Sequence, residues 1–258
     1  YDLRLRAVNS EGAGAAGDTK TATPTAPAAG GIDWTSYFGA GDEGGAYLAD
    51  AAHITTGAGN AVTQWDDLSG NGNHLTPSSF QANDPTWDGT YVNFPTESNI
   101  DVAADFILFE GTIIIAMRRE ANSDTNLAFG FFNDGADEER YAAQMRFVGS
   151  SPGFRHSAGS PGRIIDIANG GTAGNEIFTI TCDGTNVVSY RNGVEVQSDA
   201  DGFTNGVLSN RRDVEVLRFD NNALGSGTMS VVGALAIDRV LTSTEIAEIE
   251  AEFGALLP

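Results

Sequence analysis

The chain has 258 residues, of which 35 are acidic and 14 basic, and its formal net charge at pH 7 is −21. A protein this negative repels nucleic-acid phosphates and anionic lipid headgroups, which argues against a nucleic-acid partner. No apolar run approaches the roughly 18–20 residues that a membrane-spanning helix needs, so we expect no membrane insertion.

The composition also indicates how the chain is stabilised and where it works. Glycine accounts for 32 residues, which is typical of a chain with many turns. The single cysteine, Cys182, excludes an intrachain disulfide, so stability must come from burial. An acid excess with almost no lysine favours solubility in salty water, because carboxylates stay hydrated when charges are screened. We therefore expect an extracellular or virion-surface setting, with a generically soluble acidic surface as the alternative.

The first residues predict a hairpin that is separate from the rest of the chain. Leu3 and Leu5 alternate with two arginines, as in a half-buried strand; a turn is predicted at 9–17 and a returning strand at 19–23. The Tyr, the Leu/Arg run and Ala-Val-Asn-Ser-x-Gly resemble the last two strands of a fibronectin type III domain. The resemblance implies that residues 1–28 are the end of such a domain with its linker, within a longer modular protein.

From residue 29 onward, short apolar runs between Gly and Asn turns predict an all-β domain. Residues 112–117 are almost continuously apolar, which predicts a strand covered on both faces. Residues 177–182 alternate, and this predicts Phe178, Ile180 and Cys182 on one face. Further strands are predicted at 126–132, 141–148, 214–219 and 228–237.

Two local motifs predict a hairpin and a closing helix. Asn192-Gly193 joins strands 187–190 and 194–196, because Asn-Gly adopts the positive φ angles of a tight primed turn. Near the C-terminus, Thr242 and Glu245 predict a capping box, and Gly254 is the expected C-cap. The hydrophobic staple and the apolar stripe that we expect to pack on the sandwich comprise Leu241, Ile246, Ile249 and Phe253.

Three segments of this body resemble one fold family. They are 46–50 with 62–73, Pro85 and 92–94; the hairpin around Asn192-Gly193; and 233–246 leading into the helix. In this order they resemble a laminin-G-like jelly roll of the concanavalin A-like superfamily. The resemblance implies an all-β antiparallel jelly-roll sandwich with one C-terminal helix over residues 29–258.

Catalytic motifs are weak in the sequence. Glucanases with this fold carry Glu-x-Asp-x-x-Glu on one strand, and the chain has no such run. The nearest pair is Asp213 and Glu215, for which we expect a solvated strand face; retaining hydrolysis needs carboxyl groups about 5–5.5 Å apart. Gly-Ser-Ser151-Pro-Gly matches a nucleophile elbow, but 154–162 predicts a loop instead of the required helix. We therefore predict no catalytic residue and rank a polysaccharide-degrading enzyme last.

Calcium is the metal that the sequence favours, if any. The three histidines lack zinc-ligand spacing, whereas Asp- and Asn-rich loops offer the oxygens that calcium prefers. For the cluster at 66–73, turn formation is the alternative. The candidate ligands are Asp66, Asp67, Asp134, Asp137 and Asp220.

Ligand contacts are expected where aromatic and planar polar side chains meet, since sugars stack on rings and bond to such groups. Arg155-His156, within a Gly/Ser/Pro stretch, is the most conspicuous basic spot. A place in the core is the alternative for each aromatic. The candidate contacts are Trp87, Tyr91, Phe131, Tyr141, Arg155 and His156.

These patterns favour a non-catalytic recognition module. The laminin-G-like resemblance implies binding of a glycan or host-surface saccharide, at the C-terminus of a modular, adhesin-like protein of a virion tail or cell surface. The other partners expected are modules of the same long protein, and a homo-oligomer is left open. The alternative function is a structural or assembly module of a tail fibre or surface filament.

Overall fold

A computed structural model of the chain describes residues 8–9, 12–13, 31–77, 83–106, 111–119, 126–132, 141–148, 151–156, 163–166, 174–183, 186–199, 214–221 and 229–258. The strands are β1 (Val8–Asn9), β2 (Gly12–Ala13), β3 (Gly44–Leu48), β4 (Ile54–Thr56), β5 (Val62–Trp65), β6 (Thr76–Pro77), β7 (Thr86–Trp87), β8 (Val92–Phe94), β9 (Ser98–Phe106), β10 (Gly111–Arg119), β11 (Asn126–Phe132), β12 (Tyr141–Val148), β13 (Ser151–His156), β14 (Arg163–Asp166), β15 (Gly174–Cys182), β16 (Val187–Arg191), β17 (Val194–Asp199), β18 (Val214–Asn221) and β19 (Met229–Ile237). Helix α1 spans Ser243–Leu256, and 3-10 turns lie at Trp34–Tyr37 and Ala58–Asn60. None of these helices is long and apolar enough to cross a membrane.

Two antiparallel sheets account for most of these strands. Sheet I has eight, in the order β17-β16-β15-β10-β19-β8-β7, with β3 also paired to β19. Sheet II has seven, in the order β14-β13-β12-β11-β18-β9-β6. The predicted fold class, an all-β antiparallel sandwich with a C-terminal helix, is confirmed in the part of the chain that the structure describes.

Aromatic rings fill the space between the sheets. Phe219 on β18 is fully buried and stacks on Trp65, Phe94 and Phe129, with ring centroids 5.5, 5.0 and 4.1 Å away. Strand alternation brings these rings together, because every second residue of a strand points to the same face. We call this group and its apolar neighbours the inter-sheet core.

The other face of sheet I carries a second apolar core, which lies under α1. Phe253 of α1 is fully buried and stacks on Trp34, with ring centroids 5.5 Å apart. Its ring lies so close to the backbone of β19 that a Cβ at Gly233 would be 2.5 Å from it. The part of sheet I under α1 is thus covered on both faces. This confirms the prediction for 112–117, since Ile113 and Ile115 belong to the inter-sheet core and Ile114 and Ala116 to the second.

The helix begins as predicted and ends later than predicted. Thr242 and Glu245 form the capping box, and Ile249 and Phe253 are buried against sheet I. Gly254 is not the C-cap, because the helix continues through it to Leu256 with Leu257 as the cap. The two leucines that follow Gly254 pack against the second core, which favours the extra turn.

The hairpin around Asn192-Gly193 is confirmed, and two loop predictions are corrected. Asn192 and Gly193 have φ angles of 50° and 75°, as a primed turn requires. Residues 154–156 were predicted as loop but belong to β13, which gains ladder pairing with β12 on one side and β14 on the other. At the N-terminus, residues 9–17 were predicted as a turn. The structure instead pairs β1 with β2 within this range, with Asn9 opposite Gly12. The strand predicted at 19–23 lies outside the described residues.

Replacing Glu245 with glutamine is expected to weaken the start of α1 by about 1 kcal/mol at pH 7, because the change keeps the cap but removes the charge paired with Arg239. Glu245 Oε1 lies 2.7 Å from Arg239 Nη2. The Arg239 guanidinium, helped by hydrogen bonds from Thr242, lowers the pKa of Glu245 from 4.5 to about 2. The contribution is therefore complete above pH 4.5 and lost as the pH falls toward 2.

Urea denaturation of wild type and E245Q between pH 7 and pH 2 measures this contribution. The two stability curves should converge at the acid end. Glu195→Gln, at an exposed position of β17, serves as the control and should match wild type. Parallel wild-type and E245Q curves over the whole range would contradict the assignment.

Candidate functional site

A row of five polar residues crosses sheet I on the face that carries α1. Directly opposed residues of antiparallel strands lie on the same face of a sheet. The register pairs each member of the row with the next across β7, β8, β19, β10 and β15. At about 4.8 Å between strands, the row is about 19 Å long. We call it the polar row; it comprises Thr86, Asn93, Ser230, Arg118 and Asn175.

The alternation of apolar and polar residues puts the row on this face. Val92 and Phe94 flank Asn93 and point into the inter-sheet core, and Met229 and Val231 do the same around Ser230. The polar residue between each apolar pair must therefore point away from that core. On the strands β10, β15 and β19, the row lies next to the apolar positions that α1 covers. The result is an open, polar continuation of a sheet face that is otherwise buried.

The hairpin between β7 and β8 holds one end of the row. The Asp88 carboxylate accepts hydrogen bonds from the Thr90 and Tyr91 backbone N–H groups, at 2.9 and 2.8 Å, and from the Asn93 side-chain amide at 2.9 Å. Burial acts to raise the pKa of Asp88, but these hydrogen bonds outweigh it and the pKa is lowered. Asp88 is thus ionised at neutral pH and fixes Asn93, whose Oδ1 accepts from Ser230 Oγ at 2.6 Å.

Tyr91 ties the other end of the row together. Its ring is packed in the second core, and its hydroxyl donates to Asn175 Oδ1 at 3.3 Å and accepts from Arg118. Burial raises the pKa of Tyr91 although the Arg118 charge opposes it, so the hydroxyl is neutral at physiological pH. Asn175 Nδ2 in turn donates to the Pro258 carbonyl at 2.7 Å. These bonds fix the directions of the amide and the guanidinium.

Arg118 is the exposed cation of the row. Among the arginines whose side chains the structure describes, Arg191, Arg218 and Arg239 are each ion-paired with carboxylates. Arg118 forms no such pair within the described residues, and its side chain is exposed. In a chain with 35 acidic residues this is unexpected, since carboxylates are available nearly everywhere on the surface. The row therefore presents a positive charge to solvent.

A second polar surface lies on the outer face of sheet II. Leu217 and Phe219 point into the inter-sheet core, so Arg218 between them points outward, where it pairs with Asp101 at 3.2 Å. The register continues from Arg218 through Gly130 and Gln144 to Arg155. The backbone position of one predicted contact, Arg155, is thus in register with Arg218 of this ion pair.

Trp87 and Tyr91, the two predicted ligand contacts whose side chains the structure describes, lie on different faces of sheet I. Trp87 packs against the inter-sheet core, whereas Tyr91 packs on the opposite face of sheet I, beside the polar row. Phe131 is described only as backbone of β11, paired with Leu217 of β18. Arg155 and His156 are described only as backbone of β13. Tyr141 begins β12 opposite Phe132.

Both carboxylate oxygens of Asp67, a predicted calcium ligand, accept hydrogen bonds from the protein itself. Its Oδ1 accepts from the N–H groups of Ala46 and Ser69, and its Oδ2 from Ser69 Oγ and the N–H of Asn73, at 2.7–3.0 Å. Asp66 accepts from Gln64 Nε2 at 2.6 Å.

No group of three or more His, Cys, Asp or Glu that could hold a metal occurs in the part of the chain that the structure describes. Asp134 and Asp137 lie outside the described residues. For Asp220 the structure describes only the backbone, within β18. Calcium binding at those positions therefore stays a prediction.

The described acids give little support for catalysis. Burial raises the pKa values of Glu250 and Asp238, yet each has a structural partner: Glu250 accepts from Thr179 Oγ1 at 2.6 Å and Asp238 from the Glu43 N–H at 2.7 Å. Ser151 begins a strand, without the helix that a nucleophile elbow requires. Asp213 lies outside the described residues, and Glu215 is described only as backbone of β18.

The sequence analysis missed all five residues of the polar row and came closest at Tyr91, beside it. A local signal exists for Asn93 and Ser230, because each is the single polar residue between two apolar ones in a strand. Arg118 likewise follows an apolar run. What the sequence did not provide is the register that lines these positions up across five strands.

Solved structures of toxin proteins share the fold. A structure of botulinum neurotoxin type C matches with a TM-score of 0.56 and 12% identity, over 83% of this chain and 52% of that one. The binding domain of Paraclostridial Mosquitocidal Protein 1 matches at 0.50 and 15%, over 79% and 52%. The binding domain of botulinum neurotoxin DC, in complex with rat synaptotagmin II, matches at 0.54 and 12%, over 79% and 51%.

This likeness establishes the fold and nothing finer. The chain spans about half the length of these structures, and the identities are low. No protein-family model matches the chain, and no curated protein matches it in sequence. The sandwich is thus shared with toxin binding domains, while the resemblance to laminin-G-like and fibronectin type III domains stays a prediction.

Proposed function

We propose that the chain is a non-catalytic recognition module that binds a glycan through the polar row. The observation that carries the proposal is the row itself, in which two amides, two hydroxyls and a guanidinium line up across one open sheet face. Glycans present arrays of hydroxyl groups that both donate and accept, and planar amides and guanidinium groups are suited to bond them.

Pre-organisation supports the same proposal. Asn93 is held by Asp88 and Ser230, and Asn175 by Tyr91 and the Pro258 carbonyl. Polar groups that are already fixed lose little conformational entropy on binding, so a shallow site retains more of its interaction energy. Asn175 still has one lone pair on Oδ1 and one N–H for a ligand.

The fold of the toxin structures supports a binding role over a catalytic one. Botulinum neurotoxin type C depends on interaction with two ganglioside molecules to enter cells, and neurotoxin DC forms a complex with rat synaptotagmin II. We extend to this chain only the general idea of receptor recognition by a sandwich domain. The acidic composition adds support for an extracellular or virion-surface location, in which other modules carry the domain.

Removing the two fixed amides is expected to lower glycan affinity at least tenfold, because each lost hydrogen bond contributes about 1 kcal/mol. The test is a glycan array followed by calorimetry on wild type and the double variant N93A/N175A. Thr55→Ala, at an exposed site on β4, is the control and should bind like wild type. Thermal melts of all three proteins establish that the fold is retained.

Two results would contradict the proposal. One is a wild-type chain that binds no glycan on the array. The other is a double variant with the fold and the affinity of wild type, which would move the binding site elsewhere, with the outer face of sheet II as the next surface to examine. Sedimentation of the same wild-type sample tests the assembly alternative, for which defined oligomers without glycan binding would be the signature.

A further inference from the structure

We infer that the glycan carries an anionic group, a carboxylate or a sulfate, which pairs with Arg118 of the polar row. This inference rests on the proposed function and adds the chemical class of the ligand. The position of Arg118 is the starting point: the register places it between Ser230 on β19 and Asn175 on β15, so polar neighbours flank it on both sides.

The charge of Arg118 is available to a ligand. Its side chain is exposed, and among the described residues it has a hydrogen bond to the neutral Tyr91 hydroxyl and no carboxylate partner. A guanidinium has five N–H donors in a planar fork, so a single bond to tyrosine leaves most of them unused. The fork matches the two oxygens of a carboxylate or sulfate, which it binds by two parallel hydrogen bonds.

Asp88, the carboxylate at the other end of the row, does not form an ion pair with Arg118. Both oxygens of Asp88 accept hydrogen bonds from the β7–β8 hairpin, from Thr90, Tyr91 and Asn93. Asp88 therefore orients Asn93 and has no ion pair with Arg118. On the outer face of sheet II, the charge of Arg218 is already neutralised by Asp101. At the polar row, an anionic ligand thus finds a cation that no carboxylate of the described residues pairs with.

Tyr91 gives Arg118 a defined direction. The Tyr91 ring is fixed in the second core, and its hydroxyl anchors both Arg118 and Asn175. An anion bound at Arg118 therefore lies within reach of the Asn175 amide, whose remaining N–H can donate to it. The arrangement selects an anion attached to a hydroxyl-rich chain over a free anion, since the rest of the row needs sugar hydroxyls as partners.

The test compares four probes: an oligouronate of defined length, its methyl ester, a sulfated oligosaccharide without carboxylate, and the neutral parent. Wild type should bind the oligouronate or the sulfated probe about tenfold more tightly than the uncharged ones, the value expected for one charge-assisted contact. Arg118→Gln should lose this preference, because it should lower the affinity for the charged probe more than the affinity for the methyl ester. Arg118→Lys should retain part of it, because lysine keeps the charge and loses the fork.

Net charge needs its own control, because the chain is already strongly negative. Thr55→Glu lowers the net charge by the same one unit as R118Q, at an exposed site on β4, and should leave the preference unchanged. A preference for the sulfated probe alone would assign sulfate as the anion. Equal affinity of wild type for the oligouronate, the sulfated probe and the uncharged probes overturns the inference and leaves glycan binding in place. An equal loss in T55E and R118Q also overturns it, and binding of no glycan overturns both proposals.

Discussion

Replacing Asp67 with asparagine is expected to lower the free energy of unfolding by about 3 kcal/mol or more. The Asp67 carboxylate is 8% exposed and accepts four hydrogen bonds, two on each oxygen. An asparagine amide must direct its N–H₂ group either at the Ala46 and Ser69 N–H groups or at the Asn73 N–H. Either way donors face donors, and each lost bond to a buried charge costs about 1.5–3 kcal/mol.

Asp66→Asn is the matched control, because it makes the same chemical change one residue away. Asp66 is half-buried, and its Oδ1 accepts from Gln64 Nε2, a bond that the asparagine Oδ1 can still accept. We expect D66N to cost less than about 1 kcal/mol. Urea denaturation of both variants followed by tryptophan fluorescence measures the difference. Equal destabilisation by D66N and D67N would contradict the role given to Asp67 as the organiser of the turn.

Phe219→Ala is expected to destabilise the sandwich by about 3–5 kcal/mol, the range for removing a buried phenylalanine ring. Phe219 is fully buried and contacts rings from both sheets, since Phe94 belongs to sheet I and Phe129 to sheet II. Truncation therefore leaves a cavity at the centre of the inter-sheet core. The flanking strands β11 and β9 cannot close it without breaking their ladders with β18.

Two further variants, Phe219→Leu and Val194→Ala, provide reference values for the loss of stability in Phe219→Ala. Leucine fills part of the ring volume and should cost less than alanine, while Val194 is 67% exposed on β17 and should change stability by under about 0.5 kcal/mol. Thermal and urea melts on all three variants give the order. A Phe219→Ala loss no larger than that of V194A would show that the two sheets do not depend on this ring.

Local features of the fold could be read from the sequence because short-range physics decides them. The Asn192-Gly193 turn follows from the φ angles that these residues adopt, and the start of α1 follows from the capping box. Burial of 112–117 on both faces follows from its lack of polar residues. The end of α1 was missed because Leu256 and Leu257 gain contacts with the second core, and such tertiary contacts outweigh a glycine signal.

The candidate site depends on long-range pairing, which one sequence does not specify. Whether Trp87 or Tyr91 faces a ligand depends on which face of sheet I each occupies, and a shift of one residue in register would exchange them. The four members of the row from Asn93 to Asn175 come from strands far apart in the chain, so no spacing rule connects them. Arg155 and His156 were predicted within a loop, whereas the structure places the backbone of both in β13, whose pairing partners the sequence does not reveal.

The construction of the polar row has a consequence for how such a domain can diversify. Each member sits alone on its own strand, and the residues beside it, such as Met229 and Val231 around Ser230, hold that strand in the inter-sheet core. Surface substitutions away from buried networks usually change stability by no more than about 0.5 kcal/mol. Single changes along the row can therefore replace one recognised ligand by another while the sandwich stays intact. Selection can act on specificity one strand at a time.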